Sequence, residues 1–305
     1  MADKVWLGTT SSNANTAANW SGAAVPINAD TLTFDARGNS ADCDWSTFTF
    51  AAIAFPSVKI FPSFTKKNGA AGAALAPANG ITNLVYASGG QSATYINCAV
   101  TNVSVDCLNP IESALNLDTQ GVGVTNLKII RGSVLMDATA VFATPNARIT
   151  LSGPLARLTI PAGVTYGDTA SVITVEDGLC VVNAAANNII RQTGGTCILG
   201  GDGGTQTLTT LEQDGGTFVW ASSGTMTTAH WRGGKFWPNT ITDFTNPATT
   251  GDVAKTLSNA FIYDGADVDL RNALNLTLSA GIINNCSGTM GLKTAMGTKI
   301  TVALP

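Results

Sequence analysis

The sequence predicts an all-β chain, a right-handed parallel β-helix (β-solenoid) with short capping segments. Three observations carry that expectation. Glycine corners recur between Ser171 and Trp237 at Gly178, Gly195, Gly216 and Gly234, spaced 17, 21 and 18 residues apart, close to one turn of a stacked coil. Short β-branched or aromatic runs lie between them, Val172-Ile173-Thr174-Val175, Cys180-Val181-Val182 and Thr217-Phe218-Val219-Trp220 among others, which suit a pleated, half-buried surface. Charged residues make up only 12% of the 305 positions and Glu occurs only at 112, 176 and 212, a composition that disfavours long surface helices. The alternative is an antiparallel sandwich or barrel, whose turn signals recur every 8–12 residues or so. The longer spacing and the paired glycines at 194–195, 215–216 and 233–234 favour the solenoid.

The repeat has a mechanical meaning. Paired glycines reach positive φ without a Cβ penalty, as a tight corner demands. One coil cannot bury its apolar face, whereas stacked coils do, at roughly 4.8 Å per strand. Cys180 and Cys197 each follow a corner glycine. They are therefore expected at equivalent positions of neighbouring coils, as reduced thiols in an apolar ladder. Gly178, Gly195, Gly216, Gly234, Cys180 and Cys197 are the predicted structural residues.

Taken in order, residues 1–50 form a capping or attachment segment, with Trp6-Leu7-Gly8, a Ser/Asn/Thr loop, Asn19-Trp20-Ser21, Val25-Pro26 and the strand Thr31 to Asp35. Residues 51–288 form the solenoid body and 289–305 a tail strand that caps the last coil or pairs with another subunit. Within the body, 48–62 read as two strands broken at Pro56 and Pro62. Residues 66–80, KKNGAAGAALAPANG, read as a flexible loop or an arm laid on a neighbour. Asn109-Pro110-Ile111-Glu112 is the one helix-start signal, with Asn as cap and Pro at the first position. Strand runs resume through Ile160, loosen over 238–252, and return from Phe261 to Leu304.

The W-x-G, A-x-NW, VP and D-x-L-x-F elements of the first 35 residues resemble the opening of β-solenoid passenger segments in autotransporter-like proteins and in some phage virion proteins. The resemblance implies a phage virion β-solenoid of the capsid decoration or cement type: a non-enzymatic structural protein that decorates or stabilises a bacteriophage shell. Its implied partners are the major capsid protein or other virion proteins. Its implied state is a homo-oligomer, a trimer in preference to a dimer, located in virions assembled in the host cytoplasm. Trp6, Trp20, Lys66 and Lys67 are the expected partner contacts, with the tryptophans also placed to plug the open end of the solenoid.

Composition narrows the chemistry. A net charge of −4 without a basic stripe argues against a nucleic-acid reader. The opening Met1 to Trp6 carries no apolar signal core, and no run reaches the roughly 18 apolar residues of a membrane span. Folding in the cytoplasm is therefore expected, with the cysteines at 43, 98, 107, 180, 197 and 286 reduced. Cys-x-x-Cys, a P-loop and a G-x-S-x-G elbow are all absent, so no catalytic residue, cofactor or metal is assigned.

His230 is the single histidine and reads as structural beside Trp231. Asp264, Asp267 and Asp269 could suit Ca²⁺ but read better as a turn and a polar face. The second functional reading is a tailspike-like solenoid that binds or cleaves carbohydrate. It would use paired acids among Asp168, Glu176, Asp177, Asp202, Glu212 and Asp214, and exposed Trp220, Trp231 and Trp237.

Overall fold

The computed structural model describes residues 2–89, 93–107, 114–117, 123–136, 141–142, 147–166, 170–202, 204–238, 254–270, 276–288, 290–293 and 302–303. Every pairing between its named strands is parallel and in stacked order, so the chain is a β-solenoid and the antiparallel alternative is excluded. Among the described residues the only helical pieces are three-residue 3₁₀ turns, Ala17–Asn19, Ser21–Ala23 and Ala36–Gly38. The Asn109-Pro110 helix signal lies outside the described residues.

Two sheets hold every pairing between the named strands except that of Thr165–Tyr166 with Val141–Phe142. The first begins with Asp3–Val5, Thr31–Phe34, Phe55–Ile60 and Ile81–Tyr86 and continues to Lys255–Ile262, Ile282–Asn284 and Val302–Ala303. The second runs from Thr94–Ile96 and Ala114–Leu117 through Leu179–Val182 and Thr196–Leu199 to Ala266–Asp269 and Leu292–Lys293. The long strand Val124–Met136 contributes to both sheets, because it turns the corner at Gly132, where φ is +117°.

Period-2 alternation places one aliphatic row inside. Leu32, Val58, Leu84, Val103, Leu127, Ile149, Ile173, Ile190, Leu211, Ala229, Ala260 and Ile282 are register partners in succession, and all are buried. A one-residue slip in any coil would turn its rung to solvent, so this row sets the register. The second sheet contributes Leu158, Cys180, Cys197, Phe218, Phe236 and Val268, again in register and buried. Cys180 faces Cys197 as expected. Their hydrogen bond, and then burial, push the Cys197 thiol well above the usual range.

The four predicted corners also hold. Gly178, Gly195, Gly216 and Gly234 have φ of +83°, +58°, +69° and +74°. The preceding glycines serve a different need: a Cβ on Gly194, Gly215 or Gly233 would run into the backbone carbonyl of Glu176, Thr193 or Asp214 in the coil before. Coils approach too closely there for any side chain. Hydrogen bonding repeats in step. The carbonyls of Val175, Gln192 and Gln213 each accept two consecutive amides of the next corner, Thr193/Gly194, Asp214/Gly215 and Arg232/Gly233, at 2.7–3.3 Å.

Gln192 and Gln213 occupy core rungs between Val175 and Trp231 and are fully buried. Gln192 Nε2 donates to the carbonyls of Thr217 (2.9 Å), Gly194 and Gly195 (both 3.2 Å), and Gln213 Nε2 donates to Lys235 O at 2.8 Å. A glycine corner turns carbonyls inward, and a buried carbonyl needs a donor. The glutamines supply it from within the core.

The segment boundaries expected from sequence are not breaks in the stack. Asp3–Val5 and Thr31–Phe34 are already coils, with Thr31–Phe34 in register with Ser57–Ile60. In the tail, Leu292–Lys293 pairs with Val268–Asp269 and Val302–Ala303 with Ile282–Ile283. The tail extends the solenoid of its own chain.

Residues 66–80 are a loop of turns and bends, as expected, but not an arm laid on a neighbour. Asn68 bridges both Cys43 and Thr94, Leu75 bridges Ile96, and both are fully buried. The segment is anchored at these two residues and is not a free arm, while Ala70, Ala71 and Gly72 between them are exposed. Deleting 66–80 is therefore expected to abolish the cooperative unfolding transition followed by circular dichroism. A variant that still unfolds at the parent midpoint would contradict this placement.

Candidate binding groove

Aromatic residues fill the interior of the first coils. Trp6 and Trp20 meet edge to face at 5.1 Å, Trp20 and Trp45 lie 5.7 Å apart, and Phe34 packs on Trp20, Trp45 and Phe64. Each indole N–H has a partner: Trp6 donates to Ala41 O (3.2 Å), Trp20 to Ala14 O (2.7 Å) and Trp45 to Asn68 Oδ1 (2.7 Å). Buried Asn19 organises the adjoining polar loop. Its Oδ1 accepts from Thr10 N, Thr10 Oγ1 and Ser11 N, and its Nδ2 donates to Ser11 Oγ and Asn13 O. The Asn-Trp pair read from sequence is thus one device, with the amide tying the loop and the indole filling the interior.

This packing corrects the contact expected at Trp6 and Trp20. Both are buried and touch their own chain. Of the four expected contact residues, Lys66 and Lys67 keep surface positions. Lys67 is tied down through its backbone, with N donating to Asp42 Oδ1 and O accepting from Cys43 N, both at 2.9 Å.

A concavity lies beside this end. It has a volume of about 630 Å³ and lies between Phe48 and Phe50, the 70–76 segment, and the outer face of the second sheet. Tyr95, Asn116 and Leu135 are successive register partners on that face, and Asn97 stands two residues beyond Tyr95. Leu135 is 45% exposed. Trp45, Met136 and Pro161 complete the wall. Among the described residues none that lines it is Asp, Glu, Lys or Arg. Sequence reasoning singled out the 66–80 segment but missed Phe48, Phe50, Tyr95, Asn116 and Leu135. They lie in four different coils, and only the stacking register brings them together.

Several of the described carboxylates are tied one at a time to neighbouring groups. Glu212 pairs with Arg191 at 2.7 Å and Asp214 with Arg232 at 3.4 Å. Asp177 Oδ1 accepts from Gly178 N at its corner, and Asp202 Oδ1 accepts from Gly204 N and Gln206 Nε2. Asp168 lies outside the described residues. Asp264 accepts from the amide and hydroxyl of Ser287, which lowers its pKa, and Asp267 binds Lys293 at 2.6 Å. Among the described residues no three His, Cys, Asp or Glu side chains converge as a metal site. Trp220 and Trp231, offered from sequence as groove aromatics, are fully buried, and Trp237 is half-buried. Among the described residues no helix is long and apolar enough to cross a membrane.

His230 projects outward between Glu212 and Phe261, its register partners. Its ring stacks on Phe261 at 4.7 Å, and Tyr263 Oη lies 3.4 Å from Nδ1. Desolvation, and then the Arg232 charge, depress its pKa below the ordinary histidine value, while Glu212 opposes them. The unfolded chain therefore takes up this proton at a higher pH than the folded chain, so stability declines as pH falls through about 6.5. The His230→Gln variant is expected to show a flatter dependence of the urea midpoint on pH between about 5 and 7. An unchanged slope would show that other groups set it.

Comparison of the chain with protein-family models, with curated proteins and with solved structures returned no match.

Proposed function

We propose that the chain is a non-enzymatic structural protein of a bacteriophage particle, a solenoid subunit that decorates or stabilises the shell through contacts with other virion proteins and copies of itself. The observation that carries this reading is the in-register parallel stack reaching from Asp3 to Ala303 across the described residues. Such a body is rigid, because each coil is hydrogen-bonded to both neighbours. Its titratable side chains support the reading as well, since Glu212, Asp214 and Asp267 are engaged with Arg191, Arg232 and Lys293. A general acid needs a tuned group aimed at a substrate. Part of the outer face is uncharged and bonded to itself. Asn126 donates to Asn102 (2.9 Å) and Asn102 to Asn83 (3.0 Å) in an asparagine ladder. Small neutral side chains of this kind allow close approach with little desolvation penalty. The opening W-x-G and Asn19-Trp20 elements supply the resemblance to virion solenoids.

The test is co-purification of the tagged chain with intact particles in many copies, with the mass of the free protein measured by light scattering. Retention on particles and a trimeric free protein are expected, with attachment weakened by the double substitution Lys66→Ala/Lys67→Ala. Particles that exclude the protein would refute the proposal. So would depolymerisation of host polysaccharide that is lost in Glu212→Gln or Asp214→Asn.

A further inference from the structure

We propose that the groove between Phe48, Phe50 and the outer face of the second sheet is a binding site for a neutral oligosaccharide. This goes beyond the virion reading and does not depend on it. The volume of about 630 Å³ falls within the range of small-molecule sites, which combine an apolar lining with a few placed polar groups.

The lining residues select the ligand chemistry. Among the described residues no charged side chain contributes to the wall, so an ionic ligand would lose its hydration there without a described charge to replace it. A pure hydrocarbon fits poorly for the opposite reason. It would cover the side-chain amides of Asn97 and Asn116 without pairing them, and an amide left unpaired is penalised. A pyranose ring meets both conditions. Its C–H faces are apolar and flat enough to lie on an aromatic ring, while its rim carries hydroxyls that donate and accept.

The geometry places both kinds of partner in one line. Tyr95, Asn116 and Leu135 occupy consecutive rungs, which parallel stacking spaces by roughly 4.8 Å. An aromatic side chain is therefore followed by an amide and then by an apolar step along the solenoid axis. Asn116 Nδ2 is oriented by Thr94 O at 3.5 Å. Across the groove the run Ala70, Ala71, Gly72, Ala73 and Ala74 presents nothing longer than a methyl, which leaves room for a chain of rings. The aromatic platform on that side comes from Phe48 and Phe50, whose centroids are 4.9 Å apart and which both pack on Trp45. A ligand there is reported by the Trp45 indole.

The experiment titrates the purified full chain with maltohexaose, cellohexaose and chitohexaose, and with anionic oligogalacturonate as comparator. Tryptophan fluorescence and calorimetry provide the readouts. Saturable binding of at least one neutral hexasaccharide is expected, with none of the anionic one. Tyr95→Ala and Asn116→Ala should each weaken it about tenfold, while Phe61→Ala, an exposed aromatic outside the groove, leaves it unchanged. Both groove substitutions lie on the outer face, and circular dichroism verifies that they fold. No saturable response to any neutral hexasaccharide up to about 10 mM overturns the proposal. So does self-association that Leu135→Asp abolishes without any effect of sugar, since the groove would then belong to a second copy. Particle attachment that persists in Tyr95→Ala keeps this result separate from the virion reading.

Discussion

Replacing Gly195 by alanine is expected to destabilise the chain by about 3 kcal/mol or more, from two independent sources. The residue sits at φ +58°, where an L-side chain costs about 1–2 kcal/mol. A Cβ would also lie 2.6 Å from both the carbonyl carbon of Asp177 and the carbonyl oxygen of Gly178 in the preceding coil. Those atoms belong to a corner held by the Thr196 N to Gly178 O bond of 2.8 Å, so relief requires two coils to separate. Gly22 isolates the first source. It has φ +75°, and nothing lies within 4 Å of the point where a Cβ would sit, so Gly22→Ala should cost only about 1 kcal/mol. Denaturant midpoints of the two variants distinguish the cases. Equal losses would mean that coil contact contributes nothing at the corners.

Truncating Trp20 to alanine is expected to cost about 3–5 kcal/mol, the range for large buried aromatics. The indole is 1% exposed and packs against Trp6, Phe34 and Trp45. Its loss leaves a cavity and strips Ala14 O of its donor, a further penalty for a buried acceptor. Solenoid stability is nearly a sum over neighbouring coils, so the damage should be local. Amide exchange is expected to accelerate in Asp3–Val5 and Thr31–Phe34 while Ala186–Gln192 and Thr207–Gln213 keep their protection. Uniform acceleration along the chain would show that the stack unfolds as one unit. Phe61→Ala, at a side chain 42% exposed, serves as the comparison and should change stability by less than about 1 kcal/mol.

What is readable in the sequence follows from local chemistry. A glycine at positive φ is needed wherever a coil turns sharply, so Gly178, Gly195, Gly216 and Gly234 mark the turns whatever surrounds them. Their spacings of 17, 21 and 18 equal the observed steps Val172–Ile189, Ile189–Thr210 and Thr210–Thr228. The Cys180–Cys197 pairing follows from that period alone. The same local logic is incomplete for the 66–80 segment. Its Ala and Gly residues give no sign that Asn68 and Leu75 between them are held in the stack against Cys43, Thr94 and Ile96.

Burial and convergence belong to the tertiary structure. An isolated Trp6, Trp20 or Trp231 looks the same on a surface as in a core, and only the closing of neighbouring coils decides which it becomes. Gln192 and Gln213 read as solvent-facing polar residues until inward-turned corner carbonyls give them a partner. The groove depends most on stacking. Tyr95, Asn116 and Leu135 meet because stacking brings residues far apart in the chain to adjacent rungs, and Phe48 closes the groove from an earlier coil. Periodicity along one coil determines which side of a strand faces inward. The lengths of all the intervening coils determine which outward residues become neighbours.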